Sequence, residues 1–415
     1  METYFDNKKK EICNGCGTCY LVCPNNCIKM IEDEEGFLYP QINESDCIKC
    51  NKCKNTCGNF PKENTFNIKI YAAKNKNNLE RKNSTSGGIF YILARYVIEK
   101  EGIVFGVKYD ECLNIKHDYS DTLDKCKDFS ISKYVRSDLE NSYIKVKEFL
   151  NEDRHVLFTG TPCQVYGLKV FLGKEYNKLI LCEIICHSNP SPKVFRMYIK
   201  NKELVARKKI HKIYFRSKNV NVCNKPYIEY EDGTIEIDDL FNKAFLANLI
   251  SRPSCNSCSF VGTNRKSDFT IGDFWGVDTV FEGFNDGQGV SLVTVNSEKA
   301  SYIFDKIKDK LDLKESDLKT AFKYNHNHNL SQHKKRKEFF DKIAKKGINE
   351  MNIIYNLKKY TKVPLMKKVI KKIMDKWENG SFLFIGVKGT VENDKKCFET
   401  KEKSWKLKKF KWKFK

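Results

Sequence analysis

The chain has 415 residues, 40% of them hydrophobic and 13% aromatic, with a formal net charge of +22. That length accommodates two or three domains with full cores, and the composition excludes an intrinsically disordered chain. There is no apolar run long enough to span a membrane and no apolar signal core in METYFDNKKK, so a non-exported, cytoplasmic protein is the expectation.

Eighteen cysteines would suit a secreted disulfide scaffold. Their grouping in C-x-x-C units, without a signal peptide, points instead to reduced, metal-binding thiols. Charge is uneven. Residues 1–60 carry seven lysines against nine acids, whereas residues 357–415 carry 19 basic and six acidic side chains. A basic balance can mean nucleic acid, an anionic membrane or an acidic protein partner.

The first element is the run CNGCGTCYLVCP (13–24), and CIKCNKCKNTCG (47–58) repeats its cadence. Two C-x-x-C-x-x-C-x-x-x-C runs make the pattern of a two-cluster ferredoxin, in which the fourth cysteine of each run ligates the other cluster. The pattern predicts Cys13, Cys16, Cys19 and Cys57 on one 4Fe–4S cluster, and Cys47, Cys50, Cys53 and Cys23 on a second. Gly15 and Gly17 would let backbone N–H groups approach cluster sulfur. Pro24 follows Cys23 as the pattern asks, whereas Pro61 stands late after Cys57. A pair of four-cysteine zinc sites is the alternative reading. Cys27 is surplus and reads as a buried thiol. The intervening CIKMIEDEEGFLYPQIN reads as a hairpin turning at Glu35-Gly36.

From about residue 66 the pattern becomes α/β. Strands are expected at 68–74, 102–109 and 178–187, and 155–164 reads as a strand running into a turn, with helices at about 87–101, 138–151, 163–173 and 191–203. Alternation of this kind argues for a mixed sheet with crossovers. IEYEDGTIEI reads as a hairpin through Asp232-Gly233. NSTSGGIF (83–90) sets hydroxyls and glycines ahead of a helix, which suits either a phosphate or a simple serine cap. TGTPCQ (159–164) puts Cys163 in the first turn of a helix, where a thiol becomes more acidic and more reactive. Cys186, Cys255 and Cys258 could join it in a four-thiolate site. Cys182, four residues before Cys186 on a strand, would share its face and is the runner-up ligand. Cys112, Cys126, Cys223 and Cys397 lack partners at metal spacing and read as inert.

Six motifs in order, STSGG, SKYVRSD (132–138), GTPCQ, CHSNPSP (186–192), RPSCNSC and SDFTIGDFWG (267–276), resemble the beta subunits of coenzyme F420 hydrogenases and dehydrogenases over residues 66–330. The resemblance implies a bound FAD beside a third 4Fe–4S cluster held by Cys163, Cys186, Cys255 and Cys258. It also implies flavin contacts from Ser86, Gly87, Gly88 and Lys133, with Asp273 and Trp275 lining the same region. The glycine that commonly follows the histidine of CHSNPSP is absent here.

The last expected element is basic. PLMKKVIKKIMDKW (364–377) places Met366, Val369, Ile370, Ile373 and Trp377 on one helical face, with lysines mostly on the other. The tail 401–415 interleaves eight lysines with four aromatics. Such a region can be a solvated helix packed on the domain with a loose tail, or it can contact an anionic membrane surface, and no base-reading motif supports nucleic acid.

The expected architecture is therefore α/β: a ferredoxin-like domain (1–62), a mixed-sheet flavin and iron–sulfur domain (66–330), and a basic, partly helical extension (331–415). The expected function is a flavin- and iron–sulfur-dependent oxidoreductase, with a ferredoxin or other redox protein as partner and a small two-electron substrate. A non-catalytic polyferredoxin-type subunit feeding a separate reductase is the alternative.

Overall fold

The computed structural model describes residues 2–57, 66–222, 224–263, 265–325 and 328–361. The amphipathic segment 364–377, the tail 401–415, Cys223 and Cys397 lie outside the described residues. No helix among the described residues is long and apolar enough to cross a membrane.

The N-terminal hairpin forms as the sequence predicts. Strand β1 (Ile28–Glu32) runs antiparallel to β2 (Leu38–Ile42), with Glu32 opposite Leu38 and the turn closed by Gly36 N–H donating to the Asp33 carbonyl. The cysteine runs flank this hairpin on both sides in sequence.

The rest of the chain is organised on an eight-stranded sheet. Its members are β3 (Lys69–Asn75), β4 (Ile103–Tyr109), β5 (Ile115–Ser120), β6 (Val156–Gly160) and β7 (Leu179–Ile184). After a separate antiparallel sheet of β8 (Ile210–Tyr214), β9 (Tyr227–Tyr230) and β10 (Ile235–Ile237), they are joined by β11 (Phe269–Asp273), β12 (Ser291–Val295) and β13 (Leu311–Ser316). The order across the large sheet is β13-β3-β12-β11-β7-β6-β4-β5. The central pairings β11–β7, β7–β6 and β6–β4 are parallel, and all others are antiparallel. All four strands expected from apolar runs are present.

Helices cover both faces, which is why β6 and β12 are buried along their whole length and read as continuous apolar runs. On one face the helices Ile89–Ile98 and Glu298–Ile307 contribute Ile89, Leu93, Val97, Ile303 and Phe304 to the core. On the other, Ser142–Asn151 and Pro162–Leu172 contribute Tyr143, Val146, Val165 and Leu168. Each such side chain stabilises the fold by roughly 1.5–3 kcal/mol on burial. The carboxyl ends of the parallel strands β6, β7 and β11 lead directly into Thr161–Cys163, Cys186 and Asp273. Ligands of open α/β sheets bind at that edge.

The N-terminal module is docked on this body. The acidic turn between β1 and β2 meets basic side chains of the body: Arg196 pairs with Glu32 at 2.7 Å, and buried Arg336 pairs with Glu35 at 2.5 Å. Phe37 packs near Phe340, with ring centroids 6.4 Å apart. The acidity of the first 60 residues is thus partly consumed by the interface.

Candidate functional site

Cys13, Cys16, Cys19 and Cys57 line one small cavity together with Gly15 and Gly17. Both glycines have positive φ, and the curved backbone this allows wraps the Cys13–Cys19 loop around the cavity. Burial pushes two of these thiols up, Cys57 to about 11 and Cys19 well above its ordinary value, and neighbouring thiols add to the effect. Thiolates gathered this way need a positive partner, which a bound cluster supplies.

The second run makes an outer group. Cys53 feels the charges of Cys23 and Cys47, while Cys50 is exposed. Cys27 is buried as the sequence suggests, yet its Sγ lies 3.3 Å from Cys23 Sγ. Hydrogen bonding to Cys23 pushes Cys27 up to about 12. The chain therefore brings a fifth thiol to the outer group.

A third group forms at the sheet edge. Cys163, Cys186, Cys255 and Cys258 line one small cavity with Asn189 and Arg265. Thr161 caps the Pro162–Leu172 helix in a capping box with Gln164, and its Oγ1 lies 3.2 Å from Cys163 Sγ. Cys255 lies within the 3-10 turn Pro253–Ser257, and Cys258 directly follows it. Burial pushes Cys258 up to about 12 and Cys186 well up. Among the described residues no three His, Cys, Asp or Glu side chains close to single-ion distance.

Cys182 does not belong to this group. It is 0% exposed in the apolar core beside Ile180 and Phe269. The same-face argument fails because β7 ends at Ile184, so strand alternation stops before Cys186. Cys112 is exposed and Cys126 is fully buried in the core.

Two buried arginines test whether these residues fit iron–sulfur clusters. Arg252 is 0% exposed, with Nε donating to the Cys13 carbonyl at 2.7 Å and Nη2 lying 3.4 Å from Cys13 Sγ. Its Nη1 is buried without a hydrogen-bond partner. Arg136 donates to the Gly15 carbonyl and reaches within 3.9 Å of Cys163 Sγ. Among the described residues neither guanidinium has a carboxylate partner, whereas buried Arg265 and Arg336 have Glu183 and Glu35. An uncompensated buried charge is costly, so an anionic thiolate cluster fits this place.

Next to the third cysteine group opens a cleft of about 570 Å³. That volume is within the range of a cofactor site. Ser86, Gly88, Lys133, Asp273 and Trp275 line it, and so does Cys186. Gly88, not a serine, occupies the N-cap of Ile89–Ile98, with φ +83° and no side-chain cap. Ser84 bonds instead to the Glu80 carbonyl. The first-turn N–H groups of that helix are thus not capped by a side chain, in an arrangement suited to an anion.

The remaining candidates differ in their roles. Gly87 is not on the cleft wall: its N–H donates to Ser291 Oγ, and a Cβ there would stand 2.4 Å from the Ala73 carbonyl oxygen. Lys133 donates to the carbonyls of Asp128 and Ile131, and burial pushes it down to about 7. Asp273 is ion-paired with Arg216, whose guanidinium lies 5.5 Å from the Trp275 ring centroid. Trp275 is 53% exposed, so it is not a core residue. Arg216, Tyr324 and Asn325 also line the cleft, and no sequence motif marks them.

Comparison with known proteins finds matches to two regions of the chain. Residues 153–321 match the family described as the C terminus of the beta subunit of coenzyme F420 hydrogenase/dehydrogenase, and residues 12–59 match the 4Fe-4S dicluster domain. The chain is 38% identical over 74 residues to an uncharacterized ferredoxin of Methanocaldococcus jannaschii, spanning 18% of this chain and 87% of that protein. A chain of the F420-reducing NiFe hydrogenase complex from Methanosarcina barkeri is similar at 16% identity. That alignment covers 71% of this chain and 91% of the other with a TM-score of 0.42. The protein is an iron–sulfur electron-transfer oxidoreductase in which a 4Fe–4S dicluster domain precedes a region matching the C terminus of coenzyme F420 hydrogenase/dehydrogenase beta subunits.

Proposed function

We propose that this chain passes electrons between a redox protein and a flavin-dependent two-electron reaction in the 570 Å³ cleft. The observation that carries this reading is the position of Cys186, which lines both the third cysteine cavity and the cleft. In the proposed arrangement Cys13, Cys16, Cys19 and Cys57 hold one 4Fe–4S cluster. Cys47, Cys50, Cys53 and Cys23 hold the second, and Cys163, Cys186, Cys255 and Cys258 hold the third. The exposed Cys50 marks the end at which a ferredoxin-type partner exchanges electrons. Cys163 lines the cavity of the inner N-terminal group as well as its own, so the two groups are neighbours.

A flavin bound in the cleft supplies the junction between one-electron clusters and a hydride step, with a deazaflavin as one candidate substrate. The residues present suit it. The Ile89–Ile98 N-terminus and Lys133 offer N–H donors and positive charge to phosphate, and Trp275 offers an aromatic face. Arg216 neutralises Asp273, which would otherwise repel an anionic ligand. The surrounding Phe129, Ile131 and Phe245 exclude water from the inner wall.

The test is iron and flavin quantification after anaerobic purification, with optical spectra before and after reduction. The expected result is about 12 irons per chain, from three four-iron clusters, with stoichiometric FAD that bleaches on reduction. About eight irons without flavin would leave only the dicluster module and support a subunit that feeds another reductase. Zinc without iron would overturn the proposal.

A further inference from the structure

We infer that Arg252, with Arg136 beside it, is a positioning residue that holds the reduction potential of the inner N-terminal cluster above that of the outer one. This inference rests on the cluster reading proposed above. Both guanidiniums come from the body of the protein and converge on the Cys13–Gly17 loop. Arg252 bonds to the carbonyls of Cys13 and Leu38, at 2.7 and 2.9 Å, and stacks over the Tyr39 ring at 4.2 Å. Its unpartnered Nη1 faces Gly15, where a Cβ would approach it to 2.9 Å. A side chain at that position would displace the arginine. Gly15 at φ +65° therefore serves two ends, the turn and the admission of a charge.

The physics follows from charge. A cluster that accepts an electron becomes more negative, and a buried cation beside a ligating sulfur favours the reduced state. Neither arginine is neutralised by a carboxylate among the described residues, so both charges act at full strength in a low dielectric. The outer group has a different environment. Cys50 is exposed, and the nearby Lys49 and Lys52 are exposed as well, so water and salt screen their effect. An electron delivered to the outer group is thus drawn inward, towards Cys163 and the cleft. Arg136, shared between Gly15 and Cys163, raises both inner groups together.

The test is a redox titration of the full chain followed by electron paramagnetic resonance, with iron content measured on every variant. Cys50→Ser identifies the outer cluster's signal. Arg252→Met is expected to keep its iron and to lower the inner midpoint at least tenfold in the reduction equilibrium, about 59 mV for a one-electron couple. Arg252→Lys, which keeps the charge, is expected to retain most of the wild-type value, and the outer midpoint is expected not to move. If Arg252→Met loses its iron, Arg136→Met decides by the same criterion. Wild-type midpoints in an iron-replete Arg252→Met protein would overturn the inference while leaving the clusters intact. Loss of iron in both methionine variants would also overturn it, in favour of a purely structural clasp. A wild-type chain without iron would instead defeat the cluster reading itself.

Discussion

The backbone N–H of Asn189 donates to Cys255 Sγ at 3.3 Å. The side-chain amide of the same residue reaches to 3.9 Å from Cys163 Sγ, so Asn189 ties two cysteines that are 92 positions apart in sequence. Such donors stabilise thiolate over thiol and orient the ligating sulfur. Cys255→Ser is expected to lower iron content by up to about four atoms per chain and to leave the dicluster signals in place. Cys182→Ala, in the apolar core, is expected to retain full iron and to cost about 1 kcal/mol of stability. Iron assay and thermal unfolding on the same preparations separate the two outcomes. Full iron in Cys255→Ser would remove the third cluster.

Gly87 and Gly88 are neighbours with separable roles. At Gly87 an added Cβ would meet the Ala73 carbonyl oxygen at 2.4 Å and the Ser291 nitrogen at 2.7 Å, both backbone atoms of neighbouring strands. Gly87→Ala is expected to destabilise the protein by about 1–3 kcal/mol, because β3 or β12 must shift. At Gly88 the main obstacle is φ +83°, with a Cβ also standing 3.1 Å from Asn75 Cβ and 3.3 Å from Arg81 Cα, and Gly88→Ala is expected to cost at least about 1–2 kcal/mol. Gly88→Asn, which tolerates that conformation, recovers part of the loss, whereas Gly87→Asn does not. Melting temperatures of the four variants check this, and equal recovery by both asparagines would refute the distinction.

The cysteine runs were legible because ligand spacing within one loop is a local property. The hairpin turns at Gly36 and Gly233 and the four apolar strands were legible for the same reason. Cys186 and Cys255 could be nominated as partners of Cys163, because loops at the carboxyl edge of parallel strands converge. The failures are equally specific. Cys182 stands as runner-up to Cys186 only if strand periodicity is extended past Ile184, where the strand ends. Strand β12 escaped notice because it enters the sheet antiparallel between β3 and β11, a placement that chain order does not suggest. Arg136 lies within SKYVRSD and Arg252 precedes the proline of RPSCNSC, but only tertiary contacts reveal what their charges touch. Arg216 has no motif, and its pairing with Asp273 joins the segment after β8 to the end of β11.

Lys133 gives the cleft a pH dependence. Burial pushes its ammonium down to about 7, with Lys212 adding to the effect, so the group is charged below that pH and neutral above it. Affinity for a small anion such as inorganic pyrophosphate is therefore expected to weaken by about tenfold from pH 6 to pH 8, the worth of one charged hydrogen bond. In Lys133→Met the pH 6 affinity falls to the wild-type value at pH 8 and the dependence flattens. Calorimetric titration at the two pH values measures this. An equally steep profile in the variant would assign the dependence to another group.

His117 controls acid stability from behind the cleft. Its ring is almost fully buried, stacked on Phe158 at 5.2 Å, with Nε2 3.0 Å from the Thr159 carbonyl and Nδ1 3.0 Å from Ser137 Oγ. The carbonyl can only accept, so Nε2 carries the proton and Nδ1 accepts from the serine hydroxyl. The hydroxyl in turn accepts from Gln164 Nε2 at 3.0 Å. Protonation at Nδ1 would break this chain, and burial accordingly holds the folded-state value down to about 4. The unfolded chain takes up its proton near pH 6.5. Between pH 6.5 and 4 the unfolded state therefore binds more protons, and folding stability falls as pH falls. At 1.36 kcal/mol per pH unit the loss attributable to this one residue is about 3 kcal/mol. His117→Gln, which can offer an amide N–H to Thr159 and an oxygen to Ser137, is expected to be less stable at pH 7.5. Relative to wild type it gains on acidification, so that the difference narrows or reverses by pH 4.5. Urea midpoints of both proteins across that range test the assignment, and parallel curves would exclude His117 as the titrating group.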